Sequence, residues 1–197
     1  MFSEPKADKI VDDPKVFFKR EENTKFSNVF CNNTDIREAI DKLSKNAAAG
    51  PDGIPAILIK EAKDELSIPL SIIWQKSLQT REIPNIFKKA HITPILKPGA
   101  PRSHQSTYRP VSLTSHLVKT FERVLKSSLQ NFLEVTMAFN ENQHGFRSQR
   151  SCLSQLLKHY DDIIKAMEEG GNIDTIYLDF SKALDKVDIG ILCHKMK

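Results

Sequence analysis

From Asp35 onward the apolar residues Ile36, Ala39, Ile40 and Leu43 recur at the spacing of one helical face. Asp35, with Glu38 three residues on, predicts a capped start for that helix. The pattern runs into Ala47-Ala48-Ala49 and is expected to stop at Gly50-Pro51-Asp52-Gly53, a strong turn signal. Pro55 suits the first turn of a second helix, whose buried stripe is Ile57, Leu58, Ala62 and Leu66. Pro69 predicts a break, with another helix following through Ile72, Ile73, Trp74 and Leu78. Ala90 to Lys97 and Tyr108 to Thr114 read as two short strands, and Pro98, Gly99, Pro101 and the polar run 102–107 make them a hairpin with a long tip.

His116 to Val135 carries Leu117, Phe121, Leu125, Leu129 and Phe132 at helical period. A loop is predicted over 136–150. An amphipathic helix follows from Ser151 to Met167, ended by Gly170-Gly171. Ile173 to Phe180 reads as a strand, and Ser181 to Lys197 as helix again. Residues 1–34 are charged, with Pro5, Pro14 and scattered Phe, and read as a linker or arm holding a short helix around Val16 to Phe30. Trp74, Phe121 and Phe132 lie on apolar helical stripes, which makes them core rather than base-stacking platforms.

Composition adds that the chain can bury a core: 40% of its 197 residues are hydrophobic and 27% charged. The net charge of +4 is unevenly spread, since 88–150 holds ten basic and only three acidic residues. A field of that sign suits a polyanion, and it also suits a solvated face. Cys31, Cys152 and Cys193 are odd in number and form no C-x-x-C pair, so neither a disulfide framework nor a zinc knuckle is indicated, and a reducing intracellular setting, nuclear or cytoplasmic, is expected. The six histidines do not cluster, which argues against a histidine metal site. No stretch has the apolar length to span a membrane, and no secretory signal is visible over 1–20.

The segment with the most chemistry is Thr175-Ile-Tyr-Leu-Asp179-Phe-Ser-Lys-Ala-Leu-Asp185-Lys-Val-Asp188. An apolar, β-branched strand would deliver Asp179 at its end, just before a helical turn. A carboxylate there can hold a divalent cation, with backbone N–H groups nearby for phosphate, as phosphoryl transfer requires. On the local pattern alone, Asp179 also reads as a cap on a strand-to-helix turn.

This segment resembles the first palm motif of reverse transcriptases of non-LTR (LINE-type, jockey-like) retrotransposons, and other segments resemble that family in the same order. Lys45 to Pro55, with Ala-Gly-Pro-Asp-Gly-Ile-Pro, is similar to its N-terminal fingers motif. Ile83-Pro84, Lys88, Ala90, Ile92, Pro94-Ile95 and Lys97-Pro98-Gly99 resemble the first fingers strand. Tyr108-Arg-Pro-Val-Ser-Leu-Thr-Ser115 and Lys119-Thr-Phe-Glu-Arg-Val-Leu125 resemble the second strand and its helix. Gln143-His-Gly-Phe-Arg147 with Arg150-Ser151 resembles the loop before the palm.

The resemblance implies an α+β fold: right-hand polymerase fingers over 35–170, mostly helical with a β-hairpin, then an incomplete palm with one strand over 171–197. It implies that Asp179 is the catalytic carboxylate and, with the Phe180 carbonyl, binds Mg2+ or Mn2+, two ions in the intact parent enzyme. Lys97, Arg109, Lys182, Ala183 and Leu184 would meet the incoming deoxynucleoside triphosphate. Arg147 and Arg150 would meet the template backbone, although Arg147 could instead bond helix-terminal carbonyls at the loop junction. RNA template and DNA primer are the implied partners, with no membrane.

Several positions depart from the family pattern. Leu184 stands where Phe or Tyr is usual, Ala47 and Ala49 where Lys and Pro are common, and Ile189 where His is usual. No paired aspartates follow Asp179. On this reading the chain is a truncated copy, expected to be inactive by itself, and Ile176 and Leu178 should be less buried than their pattern intends because the palm strand lacks its partner hairpin. The alternative is a non-catalytic RNA- or DNA-binding remnant.

Overall fold

The computed structural model describes residues 25–27 and 29–196, so most of the proposed 1–34 arm, with its helix around Val16, lies outside the described residues. The residues of that arm that are described before Asn33 are not helical. Packing divides the chain into two compact units, one spanning Phe26–Asn131 and one containing Phe132–Lys197.

In the first unit, α1 (Asn33–Asp41) buries Ile36, Ala39 and Ile40. Its cap is Asn32 rather than Asp35. The Asn32 side chain accepts from Asp35 N–H at 2.8 Å, and Asp35 answers by accepting from Asn32 N–H at 3.2 Å. The helix ends at Asp41, well before the alanine run, because Lys60 Nζ donates to the carbonyls of Ile40, Asp41 and Leu43 and so satisfies that end. Then come α2 (Ala56–Glu61) and α3 (Lys63–Thr80). Pro69 does not break α3: it sits inside the helix with Glu65, whose carbonyl it leaves unbonded, and both are exposed to water. The interruption falls at Ala62 instead.

Ile36, Ile40, Ile59, Leu70, Trp74, Val118, Phe121 and Val124 form the core, with Phe87 packed against it. Phe121 stacks on Trp74 at 4.8 Å between ring centres and Phe87 tilts against it at 5.0 Å. Two of the three aromatic residues assigned to core are thus fully buried, while Phe132 is half-buried. Gly50 packs directly against the backbone that joins the second strand to α4 (His116–Val135).

The hairpin consists of β1 (Ala90–Leu96) and β2 (Tyr108–Thr114), antiparallel, with Ile95 opposite Arg109 and Leu96 opposite Tyr108. Lys97 N–H donates to Thr107 C=O at 2.9 Å, which extends the ladder one residue and fixes its phase. Pairs 95/109 and 93/111 are therefore the bonded ones, and Pro94 and Pro110 face each other in a pair whose backbone nitrogens point outward. Both prolines are accommodated without loss of a ladder bond.

In the second unit, α5 (Cys152–Glu168) starts at a Ser151 cap, with Ser154 completing a reciprocal box. Its surface pairs are Lys158–Asp162 and Lys165–Asp161, both 2.7 Å. Residues 173–180 form no strand, contrary to the palm strand read from the sequence. They have no partner strand among the described residues, and an unpaired strand leaves its backbone groups to water. Ile176 and Leu178 are 82% and 83% exposed, as the want of a partner predicts. Helix does not resume at Ser181: 181–186 is turn, and α6 (Ile189–Lys195) starts from a cap by Asp188, which accepts from Ile191 N–H at 3.1 Å. No helix among the described residues is long and apolar enough to cross a membrane.

Candidate functional site

Residues directly opposite in an antiparallel pair share a sheet face, and so do residues two apart on one strand. Ile95 pairs with Arg109, and Lys97 continues two residues beyond Ile95 opposite Thr107. Lys97 and Arg109 therefore lie on one face of the hairpin, diagonal to each other. Both are exposed. Lys97 Nζ donates to Ser106 C=O at 2.9 Å, which holds its head against the hairpin tip. Two cations on one exposed face can engage the oxygens of a polyphosphate.

A second cationic group lies in the other unit, in the loop between α4 and α5. Arg147 grips Glu134 with two bonds, Nε to Oε1 at 3.1 Å and Nη2 to Oε2 at 2.6 Å. Its other terminal nitrogen donates to the carbonyls of Asn140 at 3.1 Å and Gln143 at 3.4 Å. The guanidinium also lies 5.1 Å over the Phe139 ring. The carbonyls that Arg147 bonds belong to the loop and not to a helix end, unlike the helix-terminal bonding read from the sequence, and little of the guanidinium faces outward, since the side chain is 14% exposed. Arg150 is exposed and donates to His144 Nε2 at 3.2 Å. A guanidinium can only donate, so Nε2 accepts and the imidazole proton is on Nδ1, which meets Ser154 Oγ at 2.8 Å. His144 is buried, and it links the loop to the first turn of α5.

The hydrogen bonds from Arg147 hold the Glu134 carboxyl below the usual range, helped by the charges of Arg147 and Arg150 and opposed by burial. Burial holds His144 below the usual imidazole range, reinforced by Arg150, Arg147 and Lys158. Both groups have depressed folded-state values, so each contributes stability that is complete above its unfolded value and lost as pH falls through the folded one. Acidification is expected to weaken this loop in two stages, beginning below about 6.5 for His144 and below about 4.3 for Glu134. Urea unfolding from pH 8 to 3 checks this. His144→Gln should remove the first stage and leave the second, and a profile unchanged by that substitution would contradict the assignment.

Asp179 stands in the exposed 173–180 segment, and Phe180, Lys182, Ala183 and Leu184 are likewise exposed. Lys182 has a positive φ of 54°, and its carbonyl accepts from Lys186 N–H at 3.1 Å, which shapes a tight turn after the aspartate. Asp179 and the Phe180 carbonyl are hard oxygen donors of the kind Mg2+ takes as part of its shell. Among the described residues no three metal-ligating side chains cluster, so these two donors do not make a two-ion site. Asp179 belongs to one packing unit and Lys97 and Arg109 to the other.

Sequence reasoning missed Glu134, His144 and Ser154. Their partners are 13, 6 and 10 residues away, across a loop, beyond the reach of helical or strand periodicity. An acidic residue near a helix end, followed by a loop with two arginines, was the available signal. Of the cysteines, Cys31 is buried and its thiol is pushed up to about 11, first by burial and then by Asp35, which leaves it unreactive as a nucleophile.

The sequence profile described as "Reverse transcriptase (RNA-dependent DNA polymerase)" matches residues 95–197. The chain is 28% identical over 163 residues to the "Probable RNA-directed DNA polymerase from transposon BS" of Drosophila melanogaster. It is 30% identical over 163 residues to the RNA-directed DNA polymerase from mobile element jockey of Drosophila funebris. Each match covers 83% of this chain and 18% of the relative, so the chain spans under a fifth of the length of the curated relatives it matches.

Proposed function

Since the chain belongs to the reverse transcriptase family, we propose that it serves RNA-directed DNA synthesis by a non-LTR retrotransposon enzyme, as a cationic fingers element with one catalytic carboxylate. The observation that carries this reading is the placement of Lys97 and Arg109 on one exposed hairpin face. There Arg109 receives the phosphates of a deoxynucleoside triphosphate through its planar fork, and Lys97 reaches the outer phosphate as a point charge. Asp179 supplies one carboxylate toward Mg2+ or Mn2+, the Phe180 carbonyl a second oxygen, and the Lys182 and Ala183 N–H groups face the triphosphate. Leu184 lies beside the sugar, where its short side chain discriminates weakly against a 2′-hydroxyl. Arg150 pairs with the backbone of an RNA template, and Arg147 sets the loop that presents it.

A fluorescent deoxynucleoside triphosphate titrated against the chain tests the hairpin. Charge-assisted hydrogen bonds contribute about 1.5–3 kcal/mol, so Arg109→Ala should weaken binding roughly ten- to hundredfold, and Lys97→Ala less. Affinity that survives the double substitution would remove the hairpin from the reading. For Asp179 the assay is primer extension on a homopolymer template: any extension should vanish in Asp179→Ala, and extension that persists would count against it.

A second reading, RNA or DNA binding without turnover, is favoured by the ten basic and three acidic residues over 88–150. It expects affinity for nucleic acid to fall steeply with salt, because each phosphate contact releases counterions.

A further inference from the structure

No residue of α5 is buried, although the helix carries an apolar stripe along its whole length. Leu153, Leu156, Leu157, Tyr160, Ile164 and Met167 lie along one face, and each is more than half exposed. A helix of 17 residues is marginal in water by itself, and packing of such a stripe is what ordinarily holds one in place. Together the six side chains present roughly 600 Å2 of apolar surface, the upper end of what the largest patch on a monomer shows. Tyr177 extends the patch along one edge, where its ring meets His159 edge-on at 6.4 Å between centres.

The charges on this helix narrow the choice of partner. Lys158 and Lys165 are offset by Asp162 and Asp161, each pair 2.7 Å apart, so the polar face offers little to nucleic acid or anionic lipid. The stripe itself suits a second copy of the chain. Its apolar positions 153, 156, 157, 160, 163, 164 and 167 read the same in both directions about Tyr160. A two-fold axis at Tyr160 sets two α5 helices antiparallel, with Leu153 opposite Met167 of the second copy, Leu156 opposite Ile164 and Leu157 opposite Ile163. Under that axis each edge of the stripe meets itself. One edge, with Cys152, His159 and Ala166, carries no lysine, arginine or carboxylate, and Tyr177 adds apolar area there. The other holds Asp161 and Glu168, and Asp161 is already neutralised by Lys165. We infer that α5 is a homodimer interface, pairing antiparallel with the α5 of a second copy about Tyr160. The apolar surface available is most of the roughly 800 Å2 per partner that a stable pair needs.

The test is sedimentation velocity of the full chain across a hundredfold range of concentration. The unsubstituted chain should pass from monomer to dimer. Leu156→Lys and Ile164→Glu each bury a charge against an apolar side chain of the second copy, so each alone should raise the dissociation constant at least roughly tenfold. Both positions are exposed in the single chain, so far-ultraviolet circular dichroism should show each variant folded. An equimolar mixture of the two variants should dimerise again, because Leu156→Lys on one copy then faces Ile164→Glu on the other. A chain that stays monomeric throughout overturns the proposal and leaves the stripe to another part of a longer polymerase. Flotation of that monomer with phosphatidylserine vesicles overturns it in favour of a membrane surface. A dimer that neither variant weakens overturns the assignment to α5, and a mixture that stays monomeric overturns the antiparallel pairing.

Discussion

Trp74→Ala should cost the Phe26–Asn131 unit about 3–5 kcal/mol, a large share of the roughly 5–15 kcal/mol typical of a whole domain. Trp74 is wholly buried at the centre of the core, stacked on Phe121 from α4 and tilted against Phe87 from the segment before the hairpin. Truncation removes both ring contacts and leaves a cavity bounded by helices that are themselves pinned. Lys60 holds the end of α1, Arg123 of α4 donates to the Ala39 carbonyl at 2.8 Å, and Lys63 pairs with Asp41 at 2.9 Å, so collapse around the void is restricted. Trp74→Phe should cost far less. Trp74 Nε1 is buried with no hydrogen-bond partner among the described residues, so losing the indole N–H relieves a penalty while the stacking ring is kept. Urea unfolding followed by far-ultraviolet circular dichroism measures both variants, and equal losses would mean that the ring contacts are not what holds this core.

The second large effect is expected at Gly50. A Cβ there would stand 2.6 Å from the backbone carbon and oxygen of Thr114 and 2.7 Å from Ser115 N. Those atoms are the junction between β2 and α4, and Ser115 starts the helix by accepting from Leu117 N–H at 3.1 Å. No side chain can swing aside, so Gly50→Ala must separate the Gly-Pro-Asp-Gly turn from that junction, at a cost of about 1–3 kcal/mol or somewhat more. The same substitution at Gly53 meets open space and pays only for its positive φ of 69°. Comparing the two alanine variants by thermal unfolding separates crowding from backbone strain. A Gly53→Ala loss exceeding that of Gly50→Ala would contradict the crowding argument.

Much of this fold was legible because it is written in short-range pattern. The boundaries of β2 and α4 agree with the sequence reading residue for residue, since β2 is bounded by its pairing with β1 and α4 is held by its apolar stripe. The errors have both local and remote causes. Asp35 and Asn32 can both cap a helix, and Asn32 prevails because Asp35 is three residues on and can answer it. The alanine run favours helix, but Lys60, far along the chain, satisfies the carbonyls that end α1 at Asp41. For 173–180, β-branched composition states a preference that pairing alone can realise. The sequence set Lys97 and Arg109 on one hairpin, and the register adds that they share a face. The Glu134–Arg147–His144–Ser154 arrangement spans two helices and a loop, so sequence did not reach it.

Pro94 and Pro110, opposed at the middle of the hairpin with their ring nitrogens turned outward, bear on how this element meets other molecules. Each rim of the ribbon lacks, at its centre, the donor that an approaching backbone would need. A third strand cannot be zipped on from either side, and hairpins of neighbouring molecules cannot lace edge to edge into a growing ribbon. What the ribbon grasps, it grasps with its side chains.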